Sequence, residues 1–296
     1  MNTEKRIFAL GFFDGVHLGH QMLLRQCVAL AREMEAEPAA ITFDRHPQAL
    51  FSPNPTPLIS TAADRQRLLE QYGIRHIVTF PVTYEVMGIP WQTFLNDLIA
   101  RGAAGFVCGD DFRFGHRGEG NAEKLAQFCR ERDIPCIIVP EQAIHGIRVS
   151  STYIRNQLET GDMSTAVTFL GHPYALTGTV VHGHKIGRTL GMPTANLRLP
   201  DDLVIPKFGV YVCACLIDGV RYPAVTNIGT RPTVSGSGIT VEPWILDFEG
   251  DLYDREITLE FYRFLRPEMK FPDLDSLRRQ IQEDAVQTRF YLEELL

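Results

Sequence analysis

Two histidines near the start of the chain have a spacing that suits an anion-binding site. His17 and His20 lie three residues apart at the end of the stretch 11–20, where a predicted strand leads into a predicted helix. A helix N-terminus presents unpaired N–H groups and the positive end of the helix dipole, and both favour a phosphate. Spacing alone leaves three interpretations open: a grip on nucleotide phosphates, a zinc pair assisted by Asp14, or ordinary loop histidines.

A second group of polar residues opens a later predicted helix. Ser150, Ser151, Thr152 and Arg155 fall within about one helical turn after the last predicted strand of the first half. Hydroxyl groups at a helix start are often simple N-caps. Several hydroxyls beside an arginine also suit a triphosphate, because they supply charge-assisted hydrogen bonds.

The second half of the chain contains a glycine-rich stretch, residues 178–196, with Lys185 and Arg188 among the glycines. It lacks the Walker A pattern, so the residues alone indicate either a loop with some affinity for anions or a plain turn between strands. Glu242 is a carboxylate on a predicted strand, Val241–Phe248. Such a residue is more often an exposed surface group than a catalytic one.

Composition limits the classes of partner. The net charge of -7 argues against a general nucleic-acid binder, which carries a basic surface. No apolar run approaches the length of a membrane span, and the apolar run near the N-terminus is too short for a secretory signal. The six cysteines include no C-x-x-C pair, which indicates buried thiols in a reducing compartment. A cytoplasmic protein is therefore expected.

The motifs of the first half lie between alternating strands and helices. The apolar pattern predicts strands at Ile7–Leu10, Ala39–Phe43, His76–Phe80, Gly105–Cys108 and Cys136–Val139. Helices are predicted near 20–36, 61–72, 90–101 and 121–132, with two short helices in 150–171. This alternation indicates an α/β, Rossmann-like domain with a parallel sheet covered on both faces, which binds ligands beyond the carboxyl ends of its strands.

The character of the chain changes after Gly171. Residues 174–262 are rich in β-branched residues and glycine, and Asp218-Gly219 between apolar runs predicts a hairpin. A compact antiparallel barrel or sandwich is expected, followed by an amphipathic helix. That helix would bury one face, made of Leu274, Leu277, Ile281, Ala285, Thr288 and Leu292. We therefore predict two domains, residues 1–171 and 172–296.

The combination His-x-Gly-His and Ser-Ser-Thr-x-Ile-Arg resembles the nucleotidylyltransferase superfamily. Within it, the first half is similar to the FMN adenylyltransferase module of bacterial FAD synthetases, through residues 42–47 and 109–115 as well. The resemblance implies that ATP is bound by Gly11, Phe13, Asp14, His17, His20, Ser151, Thr152 and Arg155, with His17 and His20 catalytic. It implies a flavin side formed by Phe43, His46, Pro47, Asp110, Phe112, Arg113 and Asn121.

The second half resembles the riboflavin kinase family, through 193–196, 209–211, 227–233, 241–242, 252–253 and 266–271. The resemblance implies a six-stranded barrel with a C-terminal helix, and Glu242 as general base. It places the nucleotide against Gly178, Gly183, Lys185, Gly187, Arg188, Gly191, Thr194 and Asn196, with Thr194 and Asn196 also binding Mg²⁺. The flavin side would be formed by Asn227, Arg266 and Glu268.

Together the two resemblances imply a bifunctional enzyme that phosphorylates riboflavin to FMN and then adenylylates FMN to FAD. Its partners would be riboflavin, FMN, ATP and Mg²⁺, without nucleic acid or membrane, and no oligomeric state is predicted. A competing hypothesis is an adenylyltransferase whose barrel binds flavin but is inactive; the presence of Thr194, Asn196 and Glu242 disfavours it. A flavin-sensing or RNA-binding module would have lost its motifs, and the kinase motifs disfavour an adenylyltransferase that acts on a different acceptor.

Overall fold

The structure is a computed structural model, and it describes residues 4–182, 192–233 and 236–295. The chain divides into two compact units, Met1–Ser151 and Thr152–Leu296. The predicted domain boundary after residue 171 stays a prediction. No helix in the described residues is long and apolar enough to cross a membrane.

A five-stranded parallel sheet forms the centre of the first unit. Its strands are β1 (Arg6–Leu10), β2 (Glu37–Phe43), β3 (His76–Phe80), β4 (Ala103–Gly109) and β7 (Cys136–Val139), in the order β3-β2-β1-β4-β7. Two short hairpins add β5 (Arg113–Phe114) with β6 (Gly120–Asn121), and β8 (Ala143–Ile144) with β9 (Ile147–Arg148). The order reverses beside β1, which in such sheets is where the ligand crevice lies.

Helices cover both faces of this sheet, as predicted. They are α1 (Leu18–Glu33), α2 (Ala62–Gln71), α3 (Tyr84–Met87), α4 (Trp91–Ala100) and α5 (Ala122–Arg130). Alternate residues of β1 point to opposite faces: Ile7 packs in the core under α1, whereas Phe8 packs in the core under α4 and α5. The sequence missed α3 and the two hairpins, because segments this short carry too little apolar periodicity to predict.

Two helices, α6 (Ser151–Thr160) and α7 (Met163–Leu170), precede a closed antiparallel barrel in the second unit. The barrel order is β10-β11-β14-β13-β12-β15, and the antiparallel six-stranded prediction is confirmed. Its strands are β10 (Tyr174–Val181), β11 (Asn196–Arg198), β12 (Gly209–Ile217), β13 (Val220–Thr233), β14 (Gly236–Ile245) and β15 (Glu256–Arg266). The predicted hairpin joins β12 and β13, with positive φ at both Asp218 (51°) and Gly219 (82°).

The strand that carries Glu242 extends differently from the prediction. The predicted strand began at Val241, but β14 begins at Gly236 and ends at Ile245. The long partner strand β13 pairs with the whole of this segment, so backbone pairing overrides the weak strand propensity of its glycines. Glu242 therefore lies inside a strand that has a neighbour on each side.

The C-terminal helix α8 (Leu274–Leu295) packs on the outer face of the barrel. Its second half is buried at Ala285, Thr288 and Leu292, as predicted. Leu274, predicted on the same face, is 63% exposed, because the buried contacts of the helix begin only at Asp284. Asp284 accepts hydrogen bonds from Nε and Nη2 of Arg266, at 3.1 and 2.7 Å, and forms a buried ion pair.

We expect Asp284→Ala to lower the free energy of unfolding of the second unit by about 3–5 kcal/mol, because it leaves the Arg266 guanidinium buried without its carboxylate. Denaturant unfolding in a Trp91→Phe background, followed by the fluorescence of Trp244, measures this change, because Trp244 packs in the same cluster as Ala285. Glu283→Ala, at the exposed neighbouring position, is the control. A loss below about 1 kcal/mol, the size of an exposed ion pair, would contradict the expectation.

Candidate active sites

A cavity of about 400 Å³ lies at the carboxyl edge of the parallel sheet in the first unit. Loops that follow β1, β2, β4 and β7 line it, so residues far apart in the sequence meet there. The residues predicted for the adenylyltransferase site that line it are Gly11, His17, His20, Phe43, His46, Pro47, Asp110, Phe112, Arg113 and Ser151. Both the predicted nucleotide side and the predicted flavin side are represented.

The two histidines form a stacked pair at the start of α1. Their ring centroids are 3.6 Å apart and the rings are tilted by 14°. His17 is the N-cap of α1, and its Nδ1 accepts a hydrogen bond of 3.3 Å from the backbone N–H of His20. Among the described residues, none forms a hydrogen bond with the buried Nδ1 of His20. The two histidine rings therefore lie at the N-terminus of α1, the end at which a helix leaves backbone N–H groups without partners inside the helix.

Electrostatics keep His20 neutral in the folded protein. Its pKa lies well below the usual value for histidine, mainly because burial disfavours the charged form. The neighbouring His17 and Arg65 lower the pKa further through positive charge. A bound polyphosphate would act in the opposite direction and favour the protonated ring.

This pKa makes stability depend on pH with a definite sign. The unfolded chain binds a proton at His20 below about pH 6.5, while the folded protein does not until lower pH. Stability should therefore be fully present above about pH 6.5 and fall as the pH drops towards the lower pKa of the folded state. We expect His20→Gln to show a smaller fall, with Trp91 fluorescence in a Trp244→Phe background reporting the first unit. Equal pH dependence in both proteins would contradict the expectation.

Phe13 and Asp14 lie beneath the loop rather than on the cavity wall. Oδ1 of Asp14 accepts hydrogen bonds from the backbone N–H groups of Ile59 and Ser60, at 2.9 and 3.2 Å. The hydroxyl of Ser151 donates to the carbonyl oxygen of Asp14 at 3.0 Å. The Phe13 ring is fully buried and its edge lies against His20, with centroids 5.2 Å apart. A direct contact of either residue with nucleotide stays a prediction.

A second, more apolar cavity of about 490 Å³ lies in the same unit, beside residues predicted for the flavin side. The two cavities share Phe43, Pro47 and Phe112 in their walls. Phe114 of this cavity belongs to the stretch 109–115 that carries the resemblance, whereas the sequence reasoning missed Phe51, Tyr84 and Phe94. Their only sequence signal is that aromatic residues recur in segments next to the strand ends, and ordinary core residues give the same signal.

Besides Phe13 and Asp14, three more predicted residues lie outside these walls. Asn121 is the N-cap of α5, and its side chain accepts a hydrogen bond of 2.9 Å from the N–H of Lys124. Thr152 and Arg155 lie on α6 and belong to the second unit. Their roles in binding flavin and nucleotide stay predictions.

Strand register brings three predicted kinase residues into one row on the barrel. Glu242 on β14 pairs with Asn227 on β13. On the other side, Leu197 pairs with Val241 and Thr194 pairs with Trp244, which places Asn196 opposite Glu242. Directly opposed residues of a sheet project from the same face. Glu242 and its neighbour Trp244 on that face are half-buried, whereas the alternating Val241 and Ile245 are buried.

A cavity of about 110 Å³ beside this row is lined by Thr194 and Asn196 and by Tyr253 of the 252–253 motif. Asp251, which the sequence did not single out, also lines it. The hydroxyl of Thr194 and the amide oxygen of Asn196 are hard oxygen donors, the kind that Mg²⁺ prefers when phosphate oxygens complete its shell. The donor set of this chain therefore fits a Mg²⁺–nucleotide complex.

The three residues predicted on the flavin side of the kinase have different environments. The side-chain amide of Asn227 donates a hydrogen bond of 3.4 Å to Oε1 of Glu268. Arg266 is held in its buried ion pair with Asp284. A direct contact of Asn227, Arg266 or Glu268 with flavin stays a prediction.

Gly178 is buried where β10 approaches β11, and a Cβ there would lie 2.6 Å from the carbonyl oxygen of Arg198. This close approach explains the glycine without a nucleotide contact. The remaining predicted nucleotide residues of the glycine-rich stretch lie outside the described residues; they are Gly183, Lys185, Gly187, Arg188 and Gly191.

The cysteines behave as the sequence indicated. All six lie in the described residues as free thiols, and five of them are buried. Burial raises the pKa of Cys27 and of Cys215 to about 12. Such thiols are protonated at neutral pH and do not act as nucleophiles.

Comparison with known proteins identifies the family of each half of the chain. A family model described as FAD synthetase matches residues 1–153, and one described as riboflavin kinase matches residues 170–292. A bifunctional riboflavin kinase/FMN adenylyltransferase from Listeria monocytogenes is 34% identical over 98% of this chain and 93% of its own length. The protein of the same name from Bacillus subtilis is 33% identical over 98% of this chain and 94% of its own length.

The fold also agrees with a solved structure. A crystal structure of a macrolide-efflux protein from Streptococcus pneumoniae superposes with a TM-score of 0.89 and 31% identity, over 98% of this chain and 95% of that chain. The family models and the two relatives cover nearly all of the sequence, in the order in which the two units occur. The chain belongs to the family of bifunctional riboflavin kinase/FMN adenylyltransferases.

Proposed function

We propose that this chain makes FAD from riboflavin in two steps, with one site in each unit. The barrel phosphorylates riboflavin with ATP to give FMN and ADP. The α/β unit joins FMN to the adenylyl group of a second ATP and gives FAD and pyrophosphate. The observation that carries the proposal is that each unit has its own set of chemical groups, the His17–His20 pair in one and the Asn196–Glu242–Asn227 row in the other.

The adenylyl transfer needs no protein base. A phosphate oxygen of FMN, already anionic near neutral pH because its second pKa is about 6, attacks the α-phosphorus of ATP. The bond from that phosphorus to the bridging oxygen breaks, and pyrophosphate leaves with the electron pair. The site must align the two reactants and stabilise the added charge at the α-phosphate. His17, His20 and the N–H groups at the start of α1 are suited to that task.

The phosphorylation step differs because its nucleophile is neutral. A primary hydroxyl of the ribityl chain attacks the γ-phosphorus of ATP, and its proton must be accepted as the new bond forms. Glu242 is the carboxylate in the row and is the proposed base. Asn196 on one side of Glu242 would bind the phosphates of ATP, and Asn227 on the other side would contact the flavin.

Mg²⁺ is the proposed cofactor of both steps. Thr194 and Asn196 would hold it in the kinase site, where the bound ion neutralises phosphate charge. We also propose the cytoplasm as the location, because both steps consume ATP and the thiols in the described residues are free.

The test uses the unmodified protein. It is incubated with riboflavin, ATP and MgCl₂, and flavins are separated by chromatography over time. FMN that appears first and FAD that follows would support both activities and their order. FAD formed only from supplied FMN would leave the barrel as an inactive binding domain. No product from either flavin would overturn the proposal.

A further inference from the structure

Arg65 is the largest fully buried side chain in the described part of the chain, and only 1% of it is exposed. It lies on α2, one helical turn before the buried Leu69. Burial of a guanidinium is unfavourable unless its surroundings compensate for the lost hydration. The contacts of the Arg65 guanidinium must therefore compensate for its burial.

Those contacts join two loops of the adenylyltransferase cavity. Nη2 of Arg65 donates a hydrogen bond to the carbonyl oxygen of Phe43, the last residue of β2. The guanidinium carbon lies 4.6 Å from the centroid of the Phe12 ring, within the range of a cation–π contact. The edge of the same ring meets His46, with centroids 5.2 Å apart. Phe43, Phe12 and His46 all line the cavity, whereas Arg65 lies behind them.

The nucleotide side of the cavity is held by different contacts. Asp14 accepts the backbone N–H groups of Ile59 and Ser60, and the Ser60 hydroxyl accepts the N–H of Gly15 at 3.0 Å. His17 caps its own helix. Arg65 acts on His20 only through its charge, which lysine would keep. Its direct contacts reach Phe12 and Phe43 at the ends of β1 and β2, and through Phe12 they reach His46; Phe43 and His46 are the residues assigned to flavin.

We propose that Arg65 is a positioning residue of the adenylyltransferase, which fixes Phe12 and the start of the 43–47 loop and so shapes the flavin side of the cavity. The inference rests on the proposed function of this unit. Arg65 touches no reacting atom. Its planar group is required, because one face must stack on Phe12 while an edge donates to Phe43.

Arg65→Lys is the main test, because lysine keeps the charge but cannot stack and donate in the same geometry. We expect the KM for FMN to rise about tenfold, since a shift of about 1 Å in a positioning loop weakens productive binding by one to two powers of ten. The KM for ATP should change less than about twofold. Arg67→Lys, on the same helix but half-exposed and paired with Asp64, is the matched control and should leave both constants unchanged.

These constants separate positioning from stability. A variant that only unfolds more easily loses active enzyme, which lowers the maximal rate but leaves KM unchanged. Phosphorylation of riboflavin by the same preparation gives the amount of intact protein. The double variant with Phe12→Leu adds a second measurement: if the two residues act through one contact, the combined effect on KM for FMN is smaller than the product of the single effects.

Two outcomes would overturn the inference while the proposed function stands: an unchanged KM for FMN in Arg65→Lys, or equal rises in the KM for FMN and for ATP. A wild-type protein that makes no FAD from FMN and ATP would instead contradict the proposed function itself. The wild-type assay therefore comes first, and the variants are compared only with an active parent.

Discussion

Glu242→Ala is expected to abolish the conversion of riboflavin to FMN, with a loss of about 10²–10⁴-fold, while FAD still forms from supplied FMN. The size of the loss is that of a positioned general base. The selectivity follows from the fold, because Glu242 lies on the barrel and the histidine pair lies on the α/β unit.

The strand pairing makes this expectation specific to Glu242. Asn196 and Asn227 oppose Glu242 on either side, so Glu242 is the carboxylate of this row. Glu268, which accepts from Asn227, and Asp251, which lines the neighbouring cavity, are the next carboxylates among the described residues. Glutamine at this position keeps the volume and removes the basic oxygen, so Glu242→Gln should lose nearly as much activity as the alanine variant.

Initial rates of FMN formation and of FAD formation are measured separately, each with saturating ATP and Mg²⁺. The matched control is Glu256→Ala, which removes an exposed glutamate from another strand of the same barrel. A tenfold or smaller loss in Glu242→Ala would rule out this residue as the base. Loss of both activities in a folded variant would contradict the separation of the sites.

The sequence predicted the elements of the first unit well, because long apolar strands alternate with amphipathic helices. The strands His76–Phe80 and Cys136–Val139 have the predicted bounds, and the cavity lies at the predicted edge of the sheet. The local sequence pattern was sufficient to predict this part of the fold. A parallel sheet repeats a strand–helix unit, and the carboxyl ends of its strands lie at one edge in every such fold.

The row of Asn196, Glu242 and Asn227 on the barrel could not be predicted from the local sequence pattern. Asn196, Glu242 and Asn227 meet only because β11, β14 and β13 pair in one register, and no periodicity reveals which distant strands pair. Their roles came from the resemblance to a family. The buried pair of Arg266 and Asp284 was missed for the same reason, because its members meet only when α8 docks on the barrel.

Arg65 illustrates a signal that was present but not used. It lies four residues before Leu69, on the face of α2 that becomes buried, where a helix normally has apolar residues. A charged residue on the apolar face of a helix breaks the pattern of its own element. Such breaks are expected at functional sites, so they carry as much weight as motifs.

The complementary prediction concerns His20. We expect His20→Ala to slow the formation of FAD from FMN by about 10²–10³-fold, the usual effect of removing one group that stabilises transition-state charge. The ring stacks on His17 and lines the cavity, so its loss removes a contact that no neighbouring helix N–H replaces. Riboflavin phosphorylation should continue at the wild-type rate, and FMN should accumulate.

The control for His20→Ala is His145→Ala, which removes an exposed histidine from the turn between β8 and β9 in the same unit. FAD formation within about threefold of wild type in His20→Ala would exclude a role in charge stabilisation. Each variant should lose one activity and keep the other: Glu242→Ala blocks the formation of FMN, and His20→Ala blocks the conversion of FMN to FAD. Because one polypeptide carries both sites, the activity that each variant retains shows that the variant is folded. A mixture of the two variants should restore FAD synthesis from riboflavin, because FMN released by His20→Ala can be used by Glu242→Ala.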